Sequence, residues 1–273
     1  MSLYINGELV ANECYPNNER IMKMPSDDAL NLYRDKQIIF FLRYETDHDL
    51  TALLTYKRCL DDRLPKVDKK LIIPYFPYSR MDRHIDGYVC SLKYVADMIN
   101  DLNFDKVLTF DPHSNVTTTL LDRVGVYQPN HCIDTAIQQA HPDYIFYPDA
   151  GACKRYSELK VGGNIPVFYG NKARDLNTGK ITKFELVNAP DLTGKTVLIV
   201  DDLCSKGGTF VASAKELKAA GAKSVLLYVS HCEKSIYNGD LLTTDWVDKI
   251  YTTNSIIPFS ENSKIEIVWE WEP

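Results

Sequence analysis

Eight short apolar runs, each closed by polar or turn-forming residues, constrain this chain more than any other feature. They read KQIIFFLRY, KLIIPYF, KVLTFDP, DYIFYPD, NIPVFYG, KTVLIVDD, KSVLLYVS and KIEIVWEW, between residues 36 and 271. Near-continuous apolar runs of this length suit strands buried on both faces. Helical patterns lie between them, at residues 48–60, 91–102, 115–123, 151–158 and 209–220. In the first of these, Leu50, Leu53, Leu54 and Leu60 share one face. Buried strands alternating with helices predict parallel sheets covered by helices on both faces, an α/β protein. The segment NKARDLNTGKITKFELV, residues 171–187, breaks the pattern. Its NTGK turn between polar arms predicts a protruding loop or hairpin. Pro129, Pro142 and several polar residues in 126–142 predict a boundary between two similar α/β units. A length of 273 residues leaves room for both.

Composition narrows the function. The formal charge of −6 lacks the basic excess of a dedicated nucleic-acid binder. Small phosphorylated ligands stay open, because they need only a local positive pocket. No run approaches the roughly 20 apolar residues of a membrane span, and MSLYINGELV is not a signal peptide. Cys14, Cys59, Cys90, Cys132, Cys153, Cys204 and Cys232 are scattered, with no CxxC pair. They predict reduced thiols in a cytoplasm, neither a disulfide framework nor a zinc site.

In parallel sheets, ligands bind outside the carboxyl ends of the strands. Those ends carry Arg80, Asp82, Arg83 and His84 after KLIIPYF, and Asp111 and His113 after KVLTF. Asp149 and Gly151 follow DYIFY, while Lys172 and Arg174 follow PVFYG. Sugar hydroxyls, phosphates and magnesium are the ligands that need such a mixture. The densest case is VLIVDDLCSKGGTF, residues 197–210. Asp201 and Asp202, adjacent at a strand terminus, can hold the vicinal hydroxyls of a ribose or a hydrated magnesium. Ser205, Lys206, Gly207 and Gly208 form a turn running into a helix near Thr209. Such a turn presents backbone N–H groups and a positive helix end to a phosphate.

VLIVDDLCSKGGTF is similar to the PRPP-binding motif of the type I phosphoribosyltransferase superfamily. The wider resemblance is to ribose-phosphate pyrophosphokinases (PRPP synthetases). IIPYFPYSRMDRH resembles that family's PYxPYxRQDR segment, TFDPHS its DxH segment, YPDAGACKR its PDxG and NKARD its catalytic KxR loop. GAKSVLLYVSH and IYTTNSIIP match its closing segments, and the motifs keep family order across residues 4–258. YINGE resembles the family's FSDGE element, which touches adenine from a neighbouring subunit, and here it lies almost at residue 1.

The resemblance implies two tandem phosphoribosyltransferase-like domains, each a mostly parallel sheet flanked by helices. Residues 1–135 would form the ATP side and 136–273 the ribose-phosphate side, with the last strand a candidate to pack on the first domain. The implied reaction moves the β,γ-diphosphoryl group of ATP to the anomeric hydroxyl of ribose 5-phosphate, with magnesium as cofactor and AMP as product. Lys172 and Arg174 match the catalytic loop that closes over ATP. Arg80, Asp82 and His113 match ATP contacts, and His113 with Asp149 match the magnesium side. Met81 stands where the family has glutamine, and Asp82 with Arg83 alternatively forms a structural ion pair. Tyr4, Asn6 and Glu8 would read adenine across an interface, which implies a homo-oligomer, a dimer or higher. Asp201, Asp202, Ser205, Lys206, Gly207, Gly208 and Thr209 would hold the ribose phosphate.

One departure bears on the acceptor. The family reads DDxxDTGGT, whereas here the third acid is Ser205 and the threonine is Lys206. The two changes move the loop's charge by two units toward positive, which suits an extended anion such as the diphosphate of ADP-ribose. Short relatives, notably in large phages, are thought to diphosphorylate ADP-ribose in rebuilding NAD, in the host cytoplasm. Ribose 5-phosphate and ADP-ribose therefore both stand as acceptors. A nucleobase phosphoribosyltransferase would not need PYFPYSRMDRH, TFDPHS or the KAR loop. A non-catalytic regulator would be expected to lose loop or acidic residues, and all are present.

Overall fold

The computed structural model describes residues 3–10, 13–17, 19–34, 36–159, 161–174 and 181–273, with backbone alone at 172–174 and 181–183. The chain divides into two units, 1–128 with 272–273, and 129–271.

The first unit opens on a hairpin of β1 (Leu3–Ile5) and β2 (Glu8–Leu9), turned by Asn6 and Gly7 at φ +48° and +83°. Two successive left-handed residues make a type I′ turn, and Asn-Gly is the pair that adopts it most readily. Next come β3 (Glu13–Cys14), β4 (Arg20–Ile21), α1 (Asp27–Arg34), β5 (Ile38–Leu42) and α2 (Asp47–Arg63). They are followed by β6 (Lys69–Ile72), α3 (Ser91–Asp101), β7 (Lys106–Phe110), α4 (Asn115–Leu120) and β8 (Val124–Tyr127). The sheet order is β2-β1-β5-β6-β7-β8, parallel from β5 to β8 and antiparallel at the hairpin edge. Phe40, Leu71 and Val107 from strands pack with Leu53, Leu60, Ala96 and Ile99 from helices in its core.

The second unit contains α5 (Asn130–Ala140), β9 (Tyr144–Tyr147), α6 (Ala150–Glu158), β10 (Val167–Arg174) and β11 (Ile181–Val187). It continues through β12 (Thr196–Cys204), α7 (Gly208–Ala219), β13 (Ser224–Cys232), a 3₁₀ turn at Lys234–Asn238, β14 (Lys249–Thr253) and β15 (Ile265–Trp269). The order is β11-β10-β9-β12-β13-β14-β15, with β11 the antiparallel member. From β9 the chain runs out to one edge through β10 and β11, then returns to lay β12 on β9's other side. A reversal of this kind opens a crevice at the carboxyl ends of the two central strands. The crevice is deepened by a difference in length. Among the described residues, β9 pairs with β12 only at 197–199, whereas β13 accompanies β12 to Cys204.

All eight apolar runs fall in strands, and the hairpin expected at 171–187 is present as β10 and β11, its NTGK turn lying outside the described residues. Three differences from the sequence expectations follow. α4 ends at Leu120 rather than 123, because Leu121 turns extended (ψ 132°) ahead of β8. A division at 135/136 would cut α5, which packs against the second sheet, and the boundary lies at Gln128/Pro129 instead. The last strand joins the second sheet through β14, with Ile265 and Ile267 in that unit's core. Finally, α1, α5, β8 and β14 are elements that the apolar runs did not predict. No helix among the described residues is long and apolar enough to cross a membrane.

Candidate active site

The β9/β12 crevice gathers three carboxylates. Asp149 leaves β9 in extended conformation and caps α6, its Oδ1 accepting from the Ala152 amide at 2.9 Å. Asp201 and Asp202 lie on the part of β12 that extends past β9, Asp202 buried and Asp201 half-buried. The Asp202 amide donates to Asp201 Oδ1 at 3.0 Å. Arg155 of α6 reaches Asp202, Nη1 to Oδ1 at 3.4 Å. Burial, and then the charges of Asp202 and Asp149, push the Asp201 carboxyl well above the usual carboxylate range. A crevice that strains to hold its own negative charge favours hydrogen-bond donors such as ribose hydroxyls, or a cation.

Past the acids, Cys204 is buried and faces Cys232 across the β12/β13 ladder. A hydrogen bond from its own thiol to that neighbour, together with burial, pushes the Cys204 thiol up, so Cys204 packs as a neutral side chain rather than acting as a nucleophile. Lys206 is exposed, and Gly207 turns the chain at φ +81° into α7. Where a Cβ would stand on Gly208 there is nothing within 4 Å, and the N-cap residue, Gly207, brings no side chain to the start of α7. A helix start with a glycine at its N-cap and open space at Gly208 suits an anion.

The segment after β13 braces this loop. The Glu233 amide donates to the Cys204 carbonyl at 2.8 Å, and Ser205 Oγ lies 2.9 Å from Ser235 Oγ. A Cβ on Gly207 would stand 2.7 Å from Leu241 Cβ, and one on Gly239 would overlap the Lys206 carbonyl. The loop therefore rests on the 3₁₀ turn and the residues that follow it.

In the first unit, the loops after β6 and β7 each hold a residue in the left-handed region, Tyr78 at φ +60° and Asp111 at φ +37°. Such backbone strain concentrates at functional loops. The Tyr78 and Tyr44 hydroxyls both donate to Asp47 Oδ1, at 2.7 and 2.8 Å. Arg80 is exposed and His113 half-buried in these loops. Asp82 pairs with Arg83 Nε at 3.4 Å, so the structural ion pair is present. At the hairpin, Asn6 Oδ1 accepts from the Ile39 amide at 2.8 Å, which ties the turn to β5. The Tyr4 ring stands edge-on to Phe41 with centroids 6.0 Å apart, and Glu8 is exposed. Lys172 and Arg174 end β10 with their backbones paired to Phe184 and Ile181, and their side chains lie outside the described residues.

Magnesium takes oxygen ligands and keeps several waters, so one or two carboxylates plus substrate phosphates suffice. The surplus negative charge around Asp149, Asp201 and Asp202 fits it on those terms. Among the described residues, no three acidic, histidine or cysteine side chains are placed to hold a metal unaided. Asp149 belongs to the second unit and His113 to the first.

Three participants escaped the sequence reading. Arg155 sits on a helix rather than a strand end, where the strand-end rule does not look. Glu233 and Ser235 follow directly on KSVLLYVSHC, a strand end to which the same rule applied.

The sequence model of the family described as "Phosphoribosyl transferase domain" matches residues 134–263. The ribose-phosphate pyrophosphokinase of Saccharolobus solfataricus is 30% identical over 227 residues, covering 81% of this chain and 76% of that protein. That of Sulfolobus acidocaldarius is 29% identical over 265 residues, covering 95% of this chain and 88% of its own length. In fold, the chain matches the crystal structure of phosphoribosylpyrophosphate synthetase from Mycobacterium smegmatis. The TM-score is 0.77 at 20% identity, over 96% of this chain and 86% of that one.

Proposed function

Because this chain belongs to the ribose-phosphate pyrophosphokinase family, a family of transferases, we propose that it moves the diphosphoryl group of ATP onto the anomeric hydroxyl of ribose 5-phosphate. The products are 5-phosphoribosyl 1-diphosphate and AMP. The observation that carries this reading is the β9/β12 crevice, with Asp201 and Asp202 standing past the last β9 partner and directly ahead of the open start of α7.

Each group has one task in this reading. Asp201 and Asp202 accept hydrogen bonds from the ribose hydroxyls, and Arg155 holds Asp202 in place. The sugar's 5-phosphate lies at Gly207, Gly208 and Thr209, where the amides of α7 face it. Lys172 and Arg174 stabilise charge on the transferred diphosphoryl group, and Arg80, Asp82 and His113 hold ATP, with Tyr4, Asn6 and Glu8 reading adenine in a homo-oligomer. Magnesium, held on the Asp149 side, supplies charge neutralisation to the phosphates when bound. A cytoplasmic enzyme acting on free nucleotides is consistent with these assignments.

ADP-ribose is a second acceptor, favoured by one observation. Lys206 is exposed two residues ahead of a Gly208 with open space where a Cβ would stand, a charge and a gap that suit a longer anion on the sugar's 5-position. The deciding experiment measures AMP release from ATP and magnesium with each acceptor in turn. A marked preference for ribose 5-phosphate removes the second reading, and AMP from neither removes both.

A further inference from the structure

Ser235 Oγ donates to Glu233 Oε2 at 2.8 Å, and Ser235 Oγ lies 2.9 Å from Ser205 Oγ. A hydroxyl has a single hydrogen, and an ionised carboxylate has none to give. The Ser235 hydrogen is committed to Glu233, so the Ser205–Ser235 bond runs with Ser205 as donor. That spends the Ser205 hydrogen as well. What Ser205 Oγ has left to offer a ligand is then lone pairs alone.

We propose that Glu233 and Ser235 fix Ser205 as a hydrogen-bond acceptor, and that Ser205 thereby reads a hydroxyl of the sugar beside Asp201 and Asp202. A phosphate oxygen at the same place would set lone pair against lone pair. Binding of the 5-phosphate falls instead to the start of α7, and the loop sorts its ligand by polarity, hydroxyl first and phosphate after. The relay is not a chance meeting of mobile side chains. The Glu233 amide is bonded to the Cys204 carbonyl at 2.8 Å, and Gly239 lies against the Lys206 backbone so closely that no side chain fits between. Ser205 follows β12 directly, four residues past Asp201, so the strand's alternation sets it on the Asp201 side of the chain. Ser205 is a specificity-determining contact, and Ser235 and Glu233 are positioning residues. The inference rests on the reading that the crevice takes a ribose phosphate.

The test is equilibrium binding, by calorimetry, of ribose 5-phosphate and its 2-deoxy and 3-deoxy analogues. Ser205→Ala should weaken ribose 5-phosphate by about 3- to 12-fold, the worth of one neutral hydrogen bond. It should leave one of the two deoxy analogues unchanged, since that analogue already lacks the contact. Ser205→Thr, which keeps Oγ, should recover ribose 5-phosphate binding. Ser235→Ala and Glu233→Gln, which release the relay, should narrow the same discrimination, and they decide the matter if Ser205→Ala does not fold. Equal weakening of all three ligands by Ser205→Ala would overturn the proposal, as would unchanged discrimination in both relay variants. Ribose 5-phosphate failing to bind the wild-type protein would overturn it as well. Normal binding without AMP release would instead sink the assigned reaction and leave the Ser205 contact standing.

Discussion

Gly239→Ala isolates the contact between the loop at 205–207 and its brace. Gly239 has φ −116° and ψ 175°, extended backbone that any residue adopts, so the substitution carries no conformational penalty of its own. The cost is steric. A Cβ at this position would overlap the Lys206 carbonyl oxygen and stand 2.8 Å from its carbon. Carbon atoms in contact prefer about 3.5–4.0 Å, so the two backbones must part by about 1 Å. The obstacle is main chain, which cannot swing aside as a side-chain tip would. Overpacking of this kind costs about 1–3 kcal/mol. For a chain of this size that lowers Tm by about 2–4 °C per kcal/mol. A shift of about 1 Å in a loop that positions substrate also costs up to about 100-fold in rate. Thermal unfolding and separate titrations of the two substrates test this. KM for ribose 5-phosphate should rise and KM for ATP should hold. A variant with wild-type Tm and wild-type kinetics would refute the idea that the brace sets the loop.

Three further outcomes are expected. Asp201→Asn should abolish AMP release yet raise Tm at neutral pH. The Asp201 carboxyl holds its proton more tightly when folded, so its contribution to stability is complete below about pH 3.9 and is lost as pH rises toward the folded value. The advantage of the variant should therefore grow from about pH 4 upward, and a variant less stable than wild type at pH 8 would contradict the assigned burial. Lys172→Ala should cut turnover by roughly 100- to 1,000-fold, the size of losing one preorganised charge stabiliser, and near-normal AMP release would remove that role. Lys206→Thr should weaken use of ADP-ribose about 10-fold or more, with ribose 5-phosphate nearly unaffected. Equal losses on both acceptors would show that Lys206 does not distinguish them.

The central strands were legible because a strand buried on both faces must be apolar at nearly every position, as 197–200 is. β14 was not, since its Thr252 and Thr253 are polar in sequence yet fully buried. The Thr253 hydroxyl is satisfied by the Ser230 carbonyl at 2.7 Å, a partner that only the folded sheet provides. α5 was hidden between Pro129 and Pro142, which mark a linker in sequence but here frame a helix closed by a left-handed His141 at φ +44°. The same contrast holds at the site. Asp149, Asp201 and Asp202 could be found from strand ends alone, because topology fixes where those ends meet. Arg155 could not, because it sits on a helix, and the Glu233–Ser235 pair stood at a strand end whose partner, Ser205, only the folding back of the 3₁₀ turn supplies.

The excursion that separates β9 from β12 also fixes when the site can exist. Asp149 is made some fifty residues ahead of its partner acids, and the intervening chain must first run out to the sheet edge and return. Closing a loop of that length adds only a slowly growing entropic cost, so the delay is one of order more than of energy. A chain arrested before residue 200 would hold β9, α6 and the β10–β11 hairpin but neither Asp201 nor Asp202. Synthesis therefore completes the crevice only when β12 follows β9 and its edge strands, and shortened chains should fold in part without the acids proposed to bind the sugar.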